Sequence, residues 1–173
     1  MTSSQPFILT LRLDTQLSTV LNSLRSQHFP PERNFIPAHV TLFHALPSEH
    51  EAALRTDLGR VCSATPPFGV ALPKLRNWGK GVFLVVESPE LLALRQRLAS
   101  SWEAWLTPQD RQGYRRHVTV QNKVPKEEAL TLYDTLAPGW QPLDGQATGL
   151  NLWRYAGGPW IYADSFGFEG ERQ

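Results

Sequence analysis

Two stretches of this sequence share one pattern: "PAHVTLFHAL" from Pro37 to Leu46 and "RRHVTVQNKV" from Arg115 to Val124. Each sets a His two residues before a Thr in a run that alternates like a strand. The His and Thr therefore share a face, about 7 Å apart at Cα. His39 and Thr41 look one way while Val40 and Leu42 enter a core, and His117 and Thr119 do the same opposite Val118 and Val120. Two imidazoles and two hydroxyls aimed at one volume suit a phosphodiester. A neutral imidazole takes a proton from the attacking oxygen, a protonated one gives a proton to the leaving oxygen, and the hydroxyls donate to the nonbridging oxygens. One such tetrapeptide is ordinarily structural. A His on the nonapolar face of two corresponding strands is not explained by packing, because each would need its own buried partner.

The elements that must bring the two motifs together are legible in the periodicity. "FILTLRL" (Phe7 to Leu13) reads as a strand, and the following segment as a helix with Leu17, Val20, Leu21 and Leu24 at helical spacing behind Asp14 or Thr15. After the loop "FPPERNFIP" comes the first motif strand. A helix follows, with Ser48 and Glu51 in a capping-box pattern, and then a strand at Phe68 to Leu72. The second half repeats this order: strand "GVFLVVES", helix "PELLALRQRLASSWEAWL", the second motif strand, helix "PKEEALTLYDTL", strand "GLNLWRY" and a closing strand "WIYADSFGF". His117 lies 78 positions after His39, and Val82 lies 75 after Phe7, so the two orders are nearly in register. We read an internal duplication. The expected fold is α+β: a single domain over residues 1–173, with two pseudo-symmetric lobes of mainly antiparallel sheet, outer helices and a central cleft. The repeat halves fall at approximately 5–75 and 80–168, joined by the turn-rich "KLRNWGKG".

Composition narrows the partners. Of 173 residues, 41% are hydrophobic and 19% charged, which describes a globular chain able to bury a core. Lys and Arg number 17 against 16 Asp and Glu, a net charge of +1, too little for gripping long nucleic acid through many phosphates. An anionic ligand would be small or held only by its end. The start "MTSSQPFILTLRLD" shows no leader pattern, and no run nears the roughly 18 apolar residues of a membrane span. The expectation is a cytoplasmic monomer with no membrane association. The single cysteine, Cys62, reads as a small buried residue on a helix. His44 follows His39 by five and lies on the other strand face, so the pair cannot readily chelate one ion. With no acidic cluster and no phosphate-cradling glycine loop, no metal and no cofactor are expected.

"FIPAHVTLFHALP", "LTPQDRQGYRRHVTVQNKV" and "LWRYAGGPW" together resemble the two-histidine phosphoesterase superfamily, in its bacterial branch of 2′-5′ RNA ligases and HxTx cyclic phosphodiesterases. The likeness runs over nearly the whole chain. It implies two lobes of antiparallel sheet around a cleft, with catalytic residues at His39, Thr41, His117 and Thr119. It also implies hydrolysis of 2′,3′-cyclic phosphates on RNA ends or nucleotides, with ATP-independent 2′-5′ ligation as the reverse reaction in some members. For hydrolysis, His117 is assigned as the base and His39 as the acid. The same chemistry on another phosphoester, or binding of RNA ends without turnover, remains open.

Further cleft residues are expected beside the motifs. Phe43, Gln121 and Lys123 share the His face by alternation, and Tyr114, Arg115 and Arg116 precede the second motif as phosphate or base contacts. Trp153 and Tyr155 share a strand face and read as core.

Overall fold

In a computed structural model of the chain, residues 5–171 are described. The first four residues of the leader reading, and the outermost ends of the expected 1–173 domain, lie outside the described residues. The fold is α+β and every strand pairing is antiparallel. In chain order, with short single-turn helices omitted, the elements are β1 (Phe7–Leu13), α1 (Thr15–His28), β2 (Val40–Leu46), α2 (Glu51–Ser63), β3 (Phe68–Leu72), β4 (Leu75–Asn77), β5 (Val82–Val85), α3 (Pro89–Ser101), α4 (Pro108–Arg111), β6 (His117–Thr119), α5 (Lys126–Leu136), β7 (Leu143–Arg154) and β8 (Ile161–Gly167). Among the described residues, no helix is long and apolar enough to cross a membrane.

Local chemistry accounts for the helices. Asp14 caps α1: its Oδ1 accepts from Leu17 N at 2.8 Å and its Oδ2 from Gln146 N of β7 at 2.6 Å, so the cap also ties the helix to the sheet. Ser88 caps α3 by accepting from Leu91 N, with Pro89 at the first helical position. The expected Ser48 capping box does not form. Ser48 to His50 make a tight single-turn helix, and α2 starts at Glu51 without a side-chain cap. Cys62 is buried on α2, like Leu58 and Val61, and burial pushes its thiol up to about 12.

The two sheets are not built from contiguous halves. One runs β2-β1-β7-β3, with β8 also on β7, and the other runs β4-β5-β6. "KLRNWGKG", read as a connection, contains β4 and the turn of a β4–β5 hairpin. The duplicated order explains the arrangement. The third strand of the first copy, β3 and its continuation β4, supplies β4 to β5 of the second copy. The third strand of the second copy, β7, inserts beside β1 of the first. β3 and β7 pair with each other, and Ala71 of β3 bridges to Glu87 just past β5. Each copy thus completes the other's sheet. β1, paired on both sides, is buried on both faces: Leu9 and Leu11 face the α1 and α2 layer, and Ile8 and Thr10 face the cleft.

This reciprocal exchange has a direct consequence. Residues 1–79 alone lack β7, which leaves β1 and β3 without the strand that joins them. The fragment is expected to be unfolded by circular dichroism and amide exchange, and to gain structure when residues 80–173 are added in equal amount.

Candidate active site

Both motif strands are edge strands. β2 ends one sheet and β6 ends the other, and they approach to within 8 Å at Cα. Their outer N–H and C=O groups have no strand partner, and buried groups of this kind must be satisfied. Side chains from across the cleft do so. Tyr114 donates its hydroxyl to Thr41 O at 2.8 Å, and Arg95 of α3 donates Nε to Leu42 O at 3.0 Å. The Asp110 carboxylate accepts from His44 N and Ala45 N at 2.9 to 3.0 Å. In the other direction, Arg25 of α1 donates Nη1 to Thr119 O at 3.0 Å and Nε to Asn34 Oδ1 at 2.8 Å. Both arginines sit on the buried stripes of their helices, Arg25 over the Phe29 ring and Arg95 over the Phe43 ring.

Each His is set by a carbonyl two residues upstream. His39 Nδ1 lies 2.8 Å from Pro37 O, and His117 Nδ1 lies 3.0 Å from Arg115 O. A carbonyl only accepts, so Nδ1 carries the proton in both rings and Nε2 is left as the working nitrogen. Burial lowers His39 to about 4. The Pro37 carbonyl opposes this, while the positive fields of Arg25, His117 and His44 add to it. Burial likewise lowers His117, with the Arg115 carbonyl opposing and the charges of His44 and Arg115 adding. Trp160 packs on His39 at 4.7 Å between ring centroids, and Phe83 packs edge-on to His117 at 5.3 Å. Thr41 and Thr119, two residues on from each His, remain partly exposed.

A bulge in each motif strand corrects the alternation read from sequence. In β2, Thr41 pairs with Thr10 and Phe43 with Leu9, so Leu42 is an extra residue. Phe43 is consequently 0% exposed, packed on Trp102 and Arg95 instead of lining the cleft. His44, expected on the opposite face, swings to the cleft side, where its charge acts on both motif histidines. After β6, Val120 N and Gln121 N both donate to Val82 O, a second bulge at the corresponding place. Gly81 permits it, because a Cβ there would collide with the Gln121 carbonyl. Gln121 therefore turns inward, only 7% exposed, to line a depression with α5. Lys123 lies past the strand in a left-handed turn (φ 60°), beside the segment 26–32. Tyr114 serves as the brace on Thr41, with burial raising its hydroxyl well above the usual phenol range. Arg116 donates to Val86 O at 3.3 Å, whereas Arg115 keeps its side chain exposed near His117. Trp153, read as core, faces the cleft and donates its indole N–H to Thr10 Oγ1 at 2.9 Å; Tyr155 is exposed.

Sequence reasoning passed over Arg25, Arg95 and Asp110, and weighed His44 only as a metal ligand. The two arginines left a trace as charges on apolar helical stripes, Leu17-Leu21-Arg25 and Leu91-Leu94-Arg95-Leu98. Asp110 is 1% exposed on α4, behind Thr107 as cap. Its Oδ1 lies 3.1 Å from His44 Nδ1, so the imidazole, 44% exposed, is oriented with Nε2 outward. Burial pushes the Asp110 carboxyl up, but hydrogen bonds from the His44 ring and from the His44 and Ala45 amides outweigh it and hold the group below its ordinary range. Among the described residues, no group of three or more His, Cys, Asp or Glu is placed to hold a metal ion.

An α+β chain that exchanges strands between two copies, and opposes one His-x-Thr edge strand to another, defines a protein of paired-imidazole type. The family model of the 2′-5′ RNA ligase superfamily matches residues 13–159, and the chain belongs to that superfamily. Its fold is that of TT0787 of Thermus thermophilus, at a TM-score of 0.69 and 18% identity over 96% of this chain and 100% of that one. E. coli LigT complexed with 3′-AMP superposes equally, at a TM-score of 0.69 and 22% identity over 96% and 99%. LigT complexed with NADP+ gives a TM-score of 0.68, at 22% identity and the same coverage. No curated protein matches the chain.

Removing the Asp110 carboxylate takes the acceptor from two backbone donors and from the His44 ring at a buried point. Asp110→Ala is expected to cost ~2–4 kcal/mol of stability in chemical denaturation, and Asp110→Asn, which keeps one acceptor oxygen, distinctly less.

Proposed function

We propose that the protein is a phosphoesterase that opens 2′,3′-cyclic phosphates of RNA ends or nucleotides by paired-histidine acid and base catalysis, with no metal in the step. One observation carries this reading: an imidazole at the start of one edge strand and another on the facing edge strand each have Nδ1 held by a backbone carbonyl, which leaves Nε2 as the free ring nitrogen of both. The fold of LigT, a relative crystallised with 3′-AMP, supports a nucleotide as the occupant.

In the proposed step, His117 Nε2 takes a proton from water as its oxygen bonds to phosphorus. The bond to one ribose oxygen breaks, and that oxygen receives the proton on His39 Nε2. The products are a nucleoside monophosphate and a protein ready for another cycle once the proton passes from one imidazole to the other through solvent. Thr41 and Thr119 donate to the nonbridging oxygens, where charge accumulates. Burial strips His39 of its proton in the free protein, so the substrate must restore it. A phosphate anion ~4 Å away contributes ~4 kcal/mol at an effective dielectric of about 20, enough to bring a group at about 4 near neutrality.

The test is release of monophosphate from a short RNA ending in a 2′,3′-cyclic phosphate, with EDTA present. Wild type is expected to be active, and His39→Ala and His117→Ala to lose about 10² to 10⁴ each. Chelator-sensitive turnover, or turnover untouched by either substitution, would sink the reading.

A pH profile gives an independent check. Burial disfavours both imidazolium forms, so each ring of the free protein loses its proton at lower pH than a solvated imidazole does. The bell of kcat/KM, which reports the free protein, is expected to peak on the acid side of 6.5, and the bell of kcat, which reports the anion-bound state, to lie at higher pH.

A further inference from the structure

Beside His39 lies a pocket of about 210 Å³ to which no residue of the proposed acid–base step except His39 contributes. Its walls include Arg12, Asn22, Asn151, Trp153 and Tyr162. Tyr162, 58% exposed, stands edge-on to Trp153 with centroids 5.8 Å apart, and the Trp153 indole is fixed by its N–H bond to Thr10 Oγ1. Trp160 continues this aromatic surface to His39, 6.2 Å from Trp153 on one side and 4.7 Å from the imidazole on the other.

The polar groups of the pocket have a fixed sense. Arg12 can only donate, and its Nη1 reaches Ser165 Oγ at 2.8 Å, so Ser165 donates its single proton to Asn151 Oδ1, also at 2.8 Å. That locks the Asn151 amide with its oxygen toward Ser165 and its NH₂ available to a ligand. Asn22 is locked in the same way, because its Oδ1 accepts from Ala38 N at 2.7 Å. Arg12 gives Nε and Nη2 to Thr148, which leaves two of its five N–H groups over. Among the described residues, no carboxylate lines the pocket. The site is a stacking surface bordered by donors.

Resting on the phosphoesterase reading above, we propose that this pocket is the nucleobase subsite of the substrate, and that it takes bases with acceptor-rich edges, guanine and uracil, in preference to adenine. Guanine offers O6 and N7 side by side and uracil its carbonyl oxygens, whereas adenine sets an amino donor next to N7, against amides that are themselves donors. The placement also matches the proposed proton flow. The ribose oxygen that leaves belongs to the nucleoside carrying the base, and a base seated beside His39 brings that oxygen to the imidazole that must protonate it.

The experiment compares kcat/KM for guanosine, uridine and adenosine 2′,3′-cyclic monophosphates and for the base-free methyl riboside 2′,3′-cyclic phosphate. Alongside it, binding of 3′-GMP, 3′-AMP and ribose 3-phosphate is measured by calorimetry. Guanosine and uridine substrates are expected to exceed adenosine by about tenfold and the base-free one by more. Tyr162→Ala, a surface change, and Trp153→Leu are expected to weaken 3′-GMP binding about tenfold, the effect of one lost base–aromatic stack. Asn151→Asp, which replaces a donor by an acceptor, is expected to abolish the preference for 3′-GMP over 3′-AMP. Equal turnover of the base-free compound, equal binding of ribose 3-phosphate and 3′-GMP, or 3′-GMP affinity unchanged in Tyr162→Ala would each overturn the subsite. If no cyclic phosphate is hydrolysed, the catalytic reading fails, while the calorimetric comparison still decides the subsite.

Discussion

Two sheet edges face one another across the cleft, and the obligation to satisfy their backbone groups governs the rest of the molecule. An open edge normally invites another strand. Here β2 and β6 are too close for a strand to enter, and the carbonyls of Thr41, Leu42 and Thr119 and the amides of His44 and Ala45 receive side chains instead. The bonds cross in both directions: Tyr114, Arg95 and Asp110 brace β2, and Arg25 braces β6. Two buried guanidiniums are tolerated because each donates to carbonyl oxygens and is stacked on a ring. The spacing of the two catalytic candidates is therefore set by hydrogen bonds, not by loop packing.

The strand exchange makes that spacing rigid. β7 lies between β1 and β3, and β4 lies beside β5, so neither copy can shift against the other without breaking ladders in both sheets. The bulges then adjust the direction of individual side chains on this frame. Each falls at the last residue of a His-x-Thr-x tetrapeptide, Leu42 or Val120. Each sends the next residue, Phe43 or Gln121, into the interior and frees the strand from strict alternation.

Burial and carbonyl bonding divide the electrostatic work at the histidines. The Pro37 and Arg115 carbonyls choose the tautomer, and desolvation with the nearby positive groups disfavours the charged form of both rings. The pocket beside His39 adds the asymmetry that two near-identical motifs cannot provide.

Much of this was legible in the amino-acid sequence. The His-x-Thr repeat, the near-constant offset between halves, the α+β class and most element positions follow from periodicities of 2 and 3.6 residues and from a cap such as Asp14, all of which act within a few residues. What tertiary structure alone decided acts between residues far apart. The exchange of β4 and β7 arises because one copy cannot complete its own sheet. The fates of Phe43, Gln121 and His44 depend on bulges, and a single extra residue, invisible to an alternating pattern, reverses every side chain after it. The roles of Arg25, Arg95 and Asp110 were not legible, because their partners are edge carbonyls and amides from across the cleft, and a backbone group carries no signature in a sequence.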